Sequence, residues 1–471
     1  MDTSFQLIVI GSGPAGQKAA VAAAKAGRRV LVIERGGDVG GVCVHSGTIP
    51  SKALREAVLA RTGLRTLAAN DLRVETDDQP GVRELISHTA VIVAAESRVV
   101  REQMARNGIT LIRGEASFVS DRSVAVTTES EERVFSGDRI VIAVGAEPWR
   151  PAVIPFDDHR VFDSNTILGL SRLPRRMLIM SAGVIGVEYG CIFANLGVAV
   201  EMTDRRRQLL AFLDHELSAA LADHMRAMGV HLRMGEDIAA VETTGPALTV
   251  TLASGDRVET DSILYVQGRV SATAALRLER AGLTAGNGGQ LPVNANYQTA
   301  IPHIYAVGDV IGFPSLASTS MEQGRIAGSH AFGIPVESFP ELLPFGIYTI
   351  PEISTVGRSE EQLRKDGVPF AAGRAHYREI ARGHLVGDHD GLLKILFDPD
   401  TRKLLGVHAI GNGATELIHI GQAVIAFGGT IDYFVASVFN YPTFAECYRV
   451  AALDGINRLR APAASPALTR V

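Results

Sequence analysis

The chain has 471 residues, which suggests roughly three domains of about 150 residues each and excludes a small module. Hydrophobic residues make up 46% and charged residues 21%, a mix too apolar for a disordered chain. With 46 basic and 51 acidic residues the net charge is −5, which argues against nucleic acid or any general polyanion as a partner.

Phe5 to Ile10 (FQLIVI) is a short apolar run of the kind found in a strand buried on both faces, so a central parallel sheet is predicted. It feeds into Gly11-Ser12-Gly13-Pro14-Ala15-Gly16, then an alanine-rich helical stretch closed by Gly27, then the strand RVLVIE ending at Glu34. That is one βαβ unit. The N-terminus has no charged leader or cleavage pattern, and no apolar run reaches the roughly 18 residues of a membrane span. A soluble, cytoplasmic chain with no membrane partner is expected.

Between about Ser51 and Gly108 two long helical patterns flank a polar stretch, NDLRVETDDQPG, and short strands then run to about Pro148. A second βαβ unit follows: MLIM, then Ser181-Ala182-Gly183-Val184-Ile185-Gly186, the helix VEYGCIFANLG, and a strand ending at Asp204. The acid lies 23 residues after the start of the glycine motif in both copies, so the halves share a register. Further on, Ile304 to Asp309 reads as an apolar strand ending in Gly-Asp. From about Pro340 strand and helix signals alternate, and a basic Pro/Ala-rich tail closes the chain as a frayed end.

The first glycine motif follows a buried strand, opens a helix and is followed by an acid at a strand end, which is the context of a dinucleotide site. Gly11 permits the turn, Gly13 lets backbone N–H groups approach a pyrophosphate, Gly16 permits close packing, and Glu34 can accept from a ribose 2′-hydroxyl. The alternative is a ligand-free glycine turn. In the second copy Ser181 replaces the first glycine, where a positive φ would cost about 1–2 kcal/mol. Gly183, Gly186 and Asp204 still support a second dinucleotide. Arg205, Arg206 and Arg207 follow Asp204 at once, so an acid suited to a free 2′-hydroxyl stands beside guanidiniums suited to a 2′-phosphate. NAD and NADP are both admitted by this pattern, unless the arginines are only a solvated charge run.

Three cysteines, Cys43, Cys191 and Cys447, are too few and scattered for a disulfide framework, and His45, His408 and His419 show no metal-ligand spacing. No metal site is expected, and a reducing compartment is favoured.

Two dinucleotide sites in one chain imply electron transfer between cofactors. The first motif with Glu34, Gly40-Gly41-Val42-Cys43, Gly47-Thr48-Ile49-Pro50-Ser51-Lys52, Gly183 to Glu188, Gly268-Arg269 and Ala306-Val307-Gly308-Asp309 resemble the FAD-dependent pyridine nucleotide-disulfide oxidoreductases over nearly the whole chain. The resemblance implies an α/β, glutathione reductase-like fold: two Rossmann-like domains and a C-terminal α+β dimerisation domain. The implied division is FAD binding in 1–148 and 270–339, NAD(P) binding in 149–269, and an interface domain in 340–471. It places FAD on the first motif and Gly41, NAD(P)H on the second motif with Gly268 nearby, and Asp309 at the ribityl chain. It puts Lys52 near flavin N5, paired with Glu188, in a homodimer where Tyr441 and Glu446 approach the partner's flavin.

The departures from that pattern point to the activity. Disulfide reductases of the family carry a second cysteine where this chain has Thr48, so Cys43 has no partner for an intramolecular dithiol. Their His-Pro before the C-terminal glutamate reads Tyr441-Pro442 here, with Glu446 retained. The segments GVCVHSGTIPSKALREAV, LLAFLD, GDVIGFPSLAS, GIYTIPEIS and FNYPTFAECYRVAALDGINRL resemble the members of the family that exchange hydride among pyridine nucleotides. That resemblance implies ping-pong transfer through flavin N5, NADPH + NAD giving NADP + NADH. The open alternatives are a diaphorase or quinone reductase, a sensor of the NADPH/NADP ratio, and a redox-active lone thiol at Cys43.

Overall fold

The structure, a computed structural model, describes residues 3–69 and 82–460. The polar stretch at 70–81 and the C-terminal tail lie outside the described residues. The chain forms two compact units, one of residues 1–173 and 264–339, the other of 174–263 and 340–471.

In the first unit, β1 (Ser4–Ile10), α1 (Pro14–Lys25) and β2 (Val30–Glu34) form the predicted βαβ unit. β1 pairs in parallel with β2 through Ile8 and Leu31, and β2 with β3 (Thr110–Arg113). Two helices, α3 (Thr48–Ala69) and α4 (Val82–Arg106), follow the short helix α2 (Gly41–His45). The long strand β6 (Glu132–Ile142) has two roles. Its start pairs antiparallel with β5 (Ser123–Thr127), which pairs with β4 (Glu115–Ser120); its end joins β1 and the strand Ile304–Ala306 in parallel.

Alternate residues of β1 explain its unbroken apolar run. Ile8 and Ile10 pack with Leu31, Phe118 and Phe135, whereas Leu7 and Val9 pack with Ala19, Ala23 and Ile326 on the other face. The alanine-rich face of α1 lets α7 (Ala317–His330) come very close. A Cβ added to Gly324 would stand 2.0 Å from the carbonyl oxygen of Ala15, and one on Gly328 2.5 Å from that of Ala19. The expected strand through Asp309 is shorter than its apolar run: it ends at Ala306, and Gly308 to Ile311 form a 3-10 turn.

In the second unit, strand Ala199–Asp204 lies between Arg176–Met180 and His231–Met234, parallel to both, with α5 (Val184–Asn195) after the second glycine motif. The C-terminal part is an antiparallel sheet in the order Phe345–Ile347, Ile353–Gly357, Leu404–Ile410, Leu392–Phe397, Ala371–His376. Helices Ala414–Ala426 and Glu446–Arg460 supply the other side of its core through Leu417, Cys447, Tyr448 and Ala451.

Within this second unit, Lys394 is 2% exposed although it carries a charge in an apolar strand. Its ammonium lies 2.7 Å from Glu360 and 3.0 Å from Glu216, and Arg374 adds a second cation on Glu216 at 2.7 Å. Asp214, the last residue of the LLAFLD segment, caps helix α6 (His215–Ala227) by accepting the amide of Glu216 at 3.0 Å.

Candidate functional site

The first glycine loop is built by close backbone approach. A Cβ on Gly11 would lie 2.3 Å from the carbonyl oxygen of Ala143, and one on Gly16 2.0 Å from that of Gly11 itself. Gly13 meets nothing within 4 Å, so its open side faces free space, and no side chain caps the amides of the first turn of α1 there. An anion takes those amides naturally. Gly41, at φ +60°, presses on Gly13 from the next loop: its added Cβ would be 2.9 Å from the Gly13 Cα.

Ser12, to which the sequence assigned no role, ties this cradle together. Its amide donates to Glu34 Oε2 at 3.0 Å, its hydroxyl donates to the same oxygen at 2.5 Å, and the Gly40 amide donates to the hydroxyl at 2.9 Å. The Gly36 amide donates to Glu34 Oε1 at 2.8 Å, which fixes the carboxylate at the strand end. The only signal for Ser12 was its place inside the glycine motif.

Asp309 sits at the start of the turn after Ala306, its position set by Gly308, whose amide donates to Gln323 Oε1 at 2.8 Å. Burial pushes the Asp309 carboxyl up, opposed by Arg269, whose Nε is 4.0 Å away. Among the described residues no donor bonds to this carboxylate, whose side chain is 28% exposed, which leaves it able to accept from a ligand hydroxyl. The open Gly13 face, the uncapped amides, the anchored Glu34 and the partly exposed Asp309 carboxylate fit a flavin dinucleotide.

Cys43 lies on α2 and interacts with Thr48, Lys52 and Asp309. Burial pushes its thiol up, and the hydrogen bond with Thr48 and the charge of Lys52 only partly oppose this. The protonated thiol is a poor nucleophile. None of the three cysteines is disulfide-bonded. Lys52 is half-buried on α3, 3.3 Å from the Ser51 hydroxyl. Glu188, 4% exposed on α5, accepts the Tyr348 amide at 2.9 Å. Lys52 belongs to the first unit and Glu188 to the second, so their pairing stays with the resemblance. Gly268 is at φ +92° in the first unit and Arg269 donates to the carbonyl of Ala146.

In the second motif Ser181 takes φ +148°, the strained conformation its glycine counterpart would adopt freely. Such residues cost about 1–3 kcal/mol and persist where the surroundings over-determine them. Here its hydroxyl accepts the Gly183 amide at 3.1 Å, and only a glycine at 186 leaves room for its carbonyl, 2.0 Å from where a Cβ would be. Asp204 accepts the Ala182 amide at 2.7 Å and is gripped by Arg206, whose side chain is 2.6 Å away. Burial pushes the Asp204 carboxyl up, but the Arg206 and backbone hydrogen bonds outweigh it and hold the group below the usual carboxylate range. The carboxylate expected to face a ribose is therefore covered by one of the arginines expected to face a phosphate. Arg205 and Arg207 are exposed. Tyr441 is 74% exposed, and Glu446, at the first turn of its helix, accepts the Thr443 amide at 3.4 Å.

Two glycine-loop cradles, one per unit, define a flavin–nicotinamide oxidoreductase. Residues 5–324 match the pyridine nucleotide-disulphide oxidoreductase model and residues 343–452 the dimerisation domain of that group. The chain belongs to this family of FAD-dependent enzymes. It is 47% identical over 461 residues to the soluble pyridine nucleotide transhydrogenase of Mycobacterium bovis, covering 97% of this chain and 98% of the relative. The protein of the same name from Photobacterium profundum is 45% identical, again with 97% and 98% coverage. Among solved structures, LpdA of Mycobacterium tuberculosis aligns with a TM-score of 0.88 at 27% identity, over 97% of this chain and all of the other. The flavoprotein disulfide reductase RclA of Escherichia coli aligns with a TM-score of 0.86 at 27% identity, over 95% and 99%. Among the described residues no helix is long and apolar enough to cross a membrane.

Proposed function

We propose that the chain transfers hydride from NADPH to NAD, giving NADP and NADH, in two half-reactions that use one nicotinamide site in turn. The observation that carries this reading is Thr48 beside a Cys43 whose thiol burial keeps protonated: the cradle has no dithiol to send electrons to a disulfide. The transhydrogenase relatives at 45–47% identity support the same activity.

Gly11, Gly13, Gly16, Glu34, Gly41 and Asp309 would hold FAD, and Gly183, Gly186, Asp204 and Arg205 to Arg207 would hold the nicotinamide dinucleotides. When bound, FAD supplies a ring that accepts hydride from one nicotinamide and returns it to another. Lys52 would place a fixed positive charge where negative charge accumulates on hydride arrival, an electrostatic effect strengthened by its half-buried position. Thr48 donates no electrons and keeps the Cys43 thiol hydrogen-bonded. The expected division, with an NAD(P) domain at 149–269 and an interface domain at 340–471, is retained as part of this reading.

A homodimer through the C-terminal domain is part of the proposal, and its location is the cytoplasm. Phe427 at 91% exposure, Val438 at 93% and Tyr441 at 74% give that domain apolar surface of the kind a subunit contact removes from water. Stopped-flow spectroscopy tests the activity. NADPH should bleach the flavin and NAD should restore it. Restoration by quinone or dye but not by NAD would replace this reading with a diaphorase, and reduction that only changes assembly state would favour a sensor.

A further inference from the structure

The acid of the second glycine motif is already saturated. Asp204 Oδ1 accepts the Arg206 amide at 2.8 Å and Arg206 Nε at 2.9 Å. Asp204 Oδ2 accepts the Ala182 amide at 2.7 Å and Arg206 Nη2 at 2.6 Å. A carboxylate offers about four acceptor positions, so none is left for a ribose hydroxyl. The guanidinium is used only along its Nε edge. Its outer edge, made by Nη1 and the second N–H of Nη2, bonds to none of the described residues. The side chain is 46% exposed and lies against the glycine loop, with Nη2 3.7 Å from where a Gly183 Cβ would stand. That free edge is the fork a phosphate takes bidentately.

We infer that Arg206 is the gate that sets coenzyme preference: laid on Asp204 it offers a ready fork to the 2′-phosphate of NADP(H), and NAD(H) enters when the side chain leaves and frees Asp204 for the 2′-hydroxyl. The inference rests on the reading that the second motif binds both coenzymes. NADP meets the arrangement already present. NAD must first separate two charge-assisted hydrogen bonds, after which Asp204 keeps the Ala182 and Arg206 amides and gains the ribose hydroxyl as donor. One side chain thus favours one coenzyme and hinders the other, unlike Arg205 and Arg207, which are free of the acid and act only on the phosphate.

The test is calorimetric titration of oxidised holoenzyme with NADP and with NAD, for wild type and Arg206→Ala. NADP affinity should fall at least about tenfold while NAD affinity holds or rises, so that the ratio crosses toward NAD. An equal fall for both coenzymes, or a loss confined to NAD, overturns the gate. If Arg206→Ala fails to retain flavin, Arg206→Gln, which also lacks the charged fork, should show the same crossing. Failure of the transhydrogenase reading looks different: the affinities cross as expected, yet NAD does not reoxidise NADPH-treated protein.

Discussion

The ammonium of Lys394 lies 2.9 Å from both carboxylate oxygens of Asp214, with side-chain exposures of 2% and 0%. Two charges so fully removed from water persist only as a pair. Lys394→Met should therefore strand Asp214 beside Glu216 and Glu360, destabilising the second unit by about 3–5 kcal/mol. Adding Asp214→Asn should recover only part of this, because Asn still caps α6 but Glu216 and Glu360 remain without the ammonium. Denaturant unfolding of the single and double variants measures both; a single-variant loss under about 1 kcal/mol would show that the pair is not the keystone.

Glu216 gives the same cluster a pH signature. Burial raises its carboxyl, but hydrogen bonds from Arg374 and Lys394 overcome this and bring it down from 4.5 to about 2. A carboxyl depressed in the folded state adds stability that is complete above pH 4.5 and is lost as pH falls from there toward 2. Glu216→Gln should flatten that acid limb of the stability curve relative to wild type. Parallel limbs in a thermal series at stepped pH would remove Glu216 as their source.

Gly13 and Gly11 should respond differently to alanine. Gly13→Ala has room in the free chain, so the variant should fold, but its methyl occupies the face left for a pyrophosphate, and flavin retention should drop by at least about tenfold. Gly11→Ala drives a methyl to 2.3 Å from the Ala143 oxygen and should damage folding itself. Circular dichroism read alongside bound-flavin absorbance separates the outcomes; full flavin content in Gly13→Ala would disprove the role of that face.

Cys43→Ser should keep hydride transfer near wild type, because the thiol is protonated and Thr48 offers no sulfur. Turnover with NADPH and NAD is the measurement. A loss of about a thousandfold would mean the sulfur reacts after all.

Much of the first cradle was legible because its signals are local. β1, the glycine loop, α1 and Glu34 are contiguous, and each type of residue has one reason to be there. Ser12 was not legible, since a hydroxyl bridging Glu34 and Gly40 depends on loops meeting in space. Asp204 was placed correctly at its strand end, but its spacing could not reveal that Arg206, two residues on, folds back over it. Nothing near Lys394 marks it either: LLKILF reads as an apolar strand with one solvated charge, and its partners at 214, 216 and 360 are far along the chain. Ser181 was flagged as a departure, and the strain it implied is present at φ +148°.

The two glycines of α7 have a last consequence. With Gly324 and Gly328 set against the main chain of α1, the helix that starts at the first glycine loop cannot slide sideways, and no bulkier residue fits at either place. Any side chain at 324 or 328 would have to push the two helices apart and carry the start of α1 at Gly13 with it, so the shape of that loop depends on two residues far along the chain.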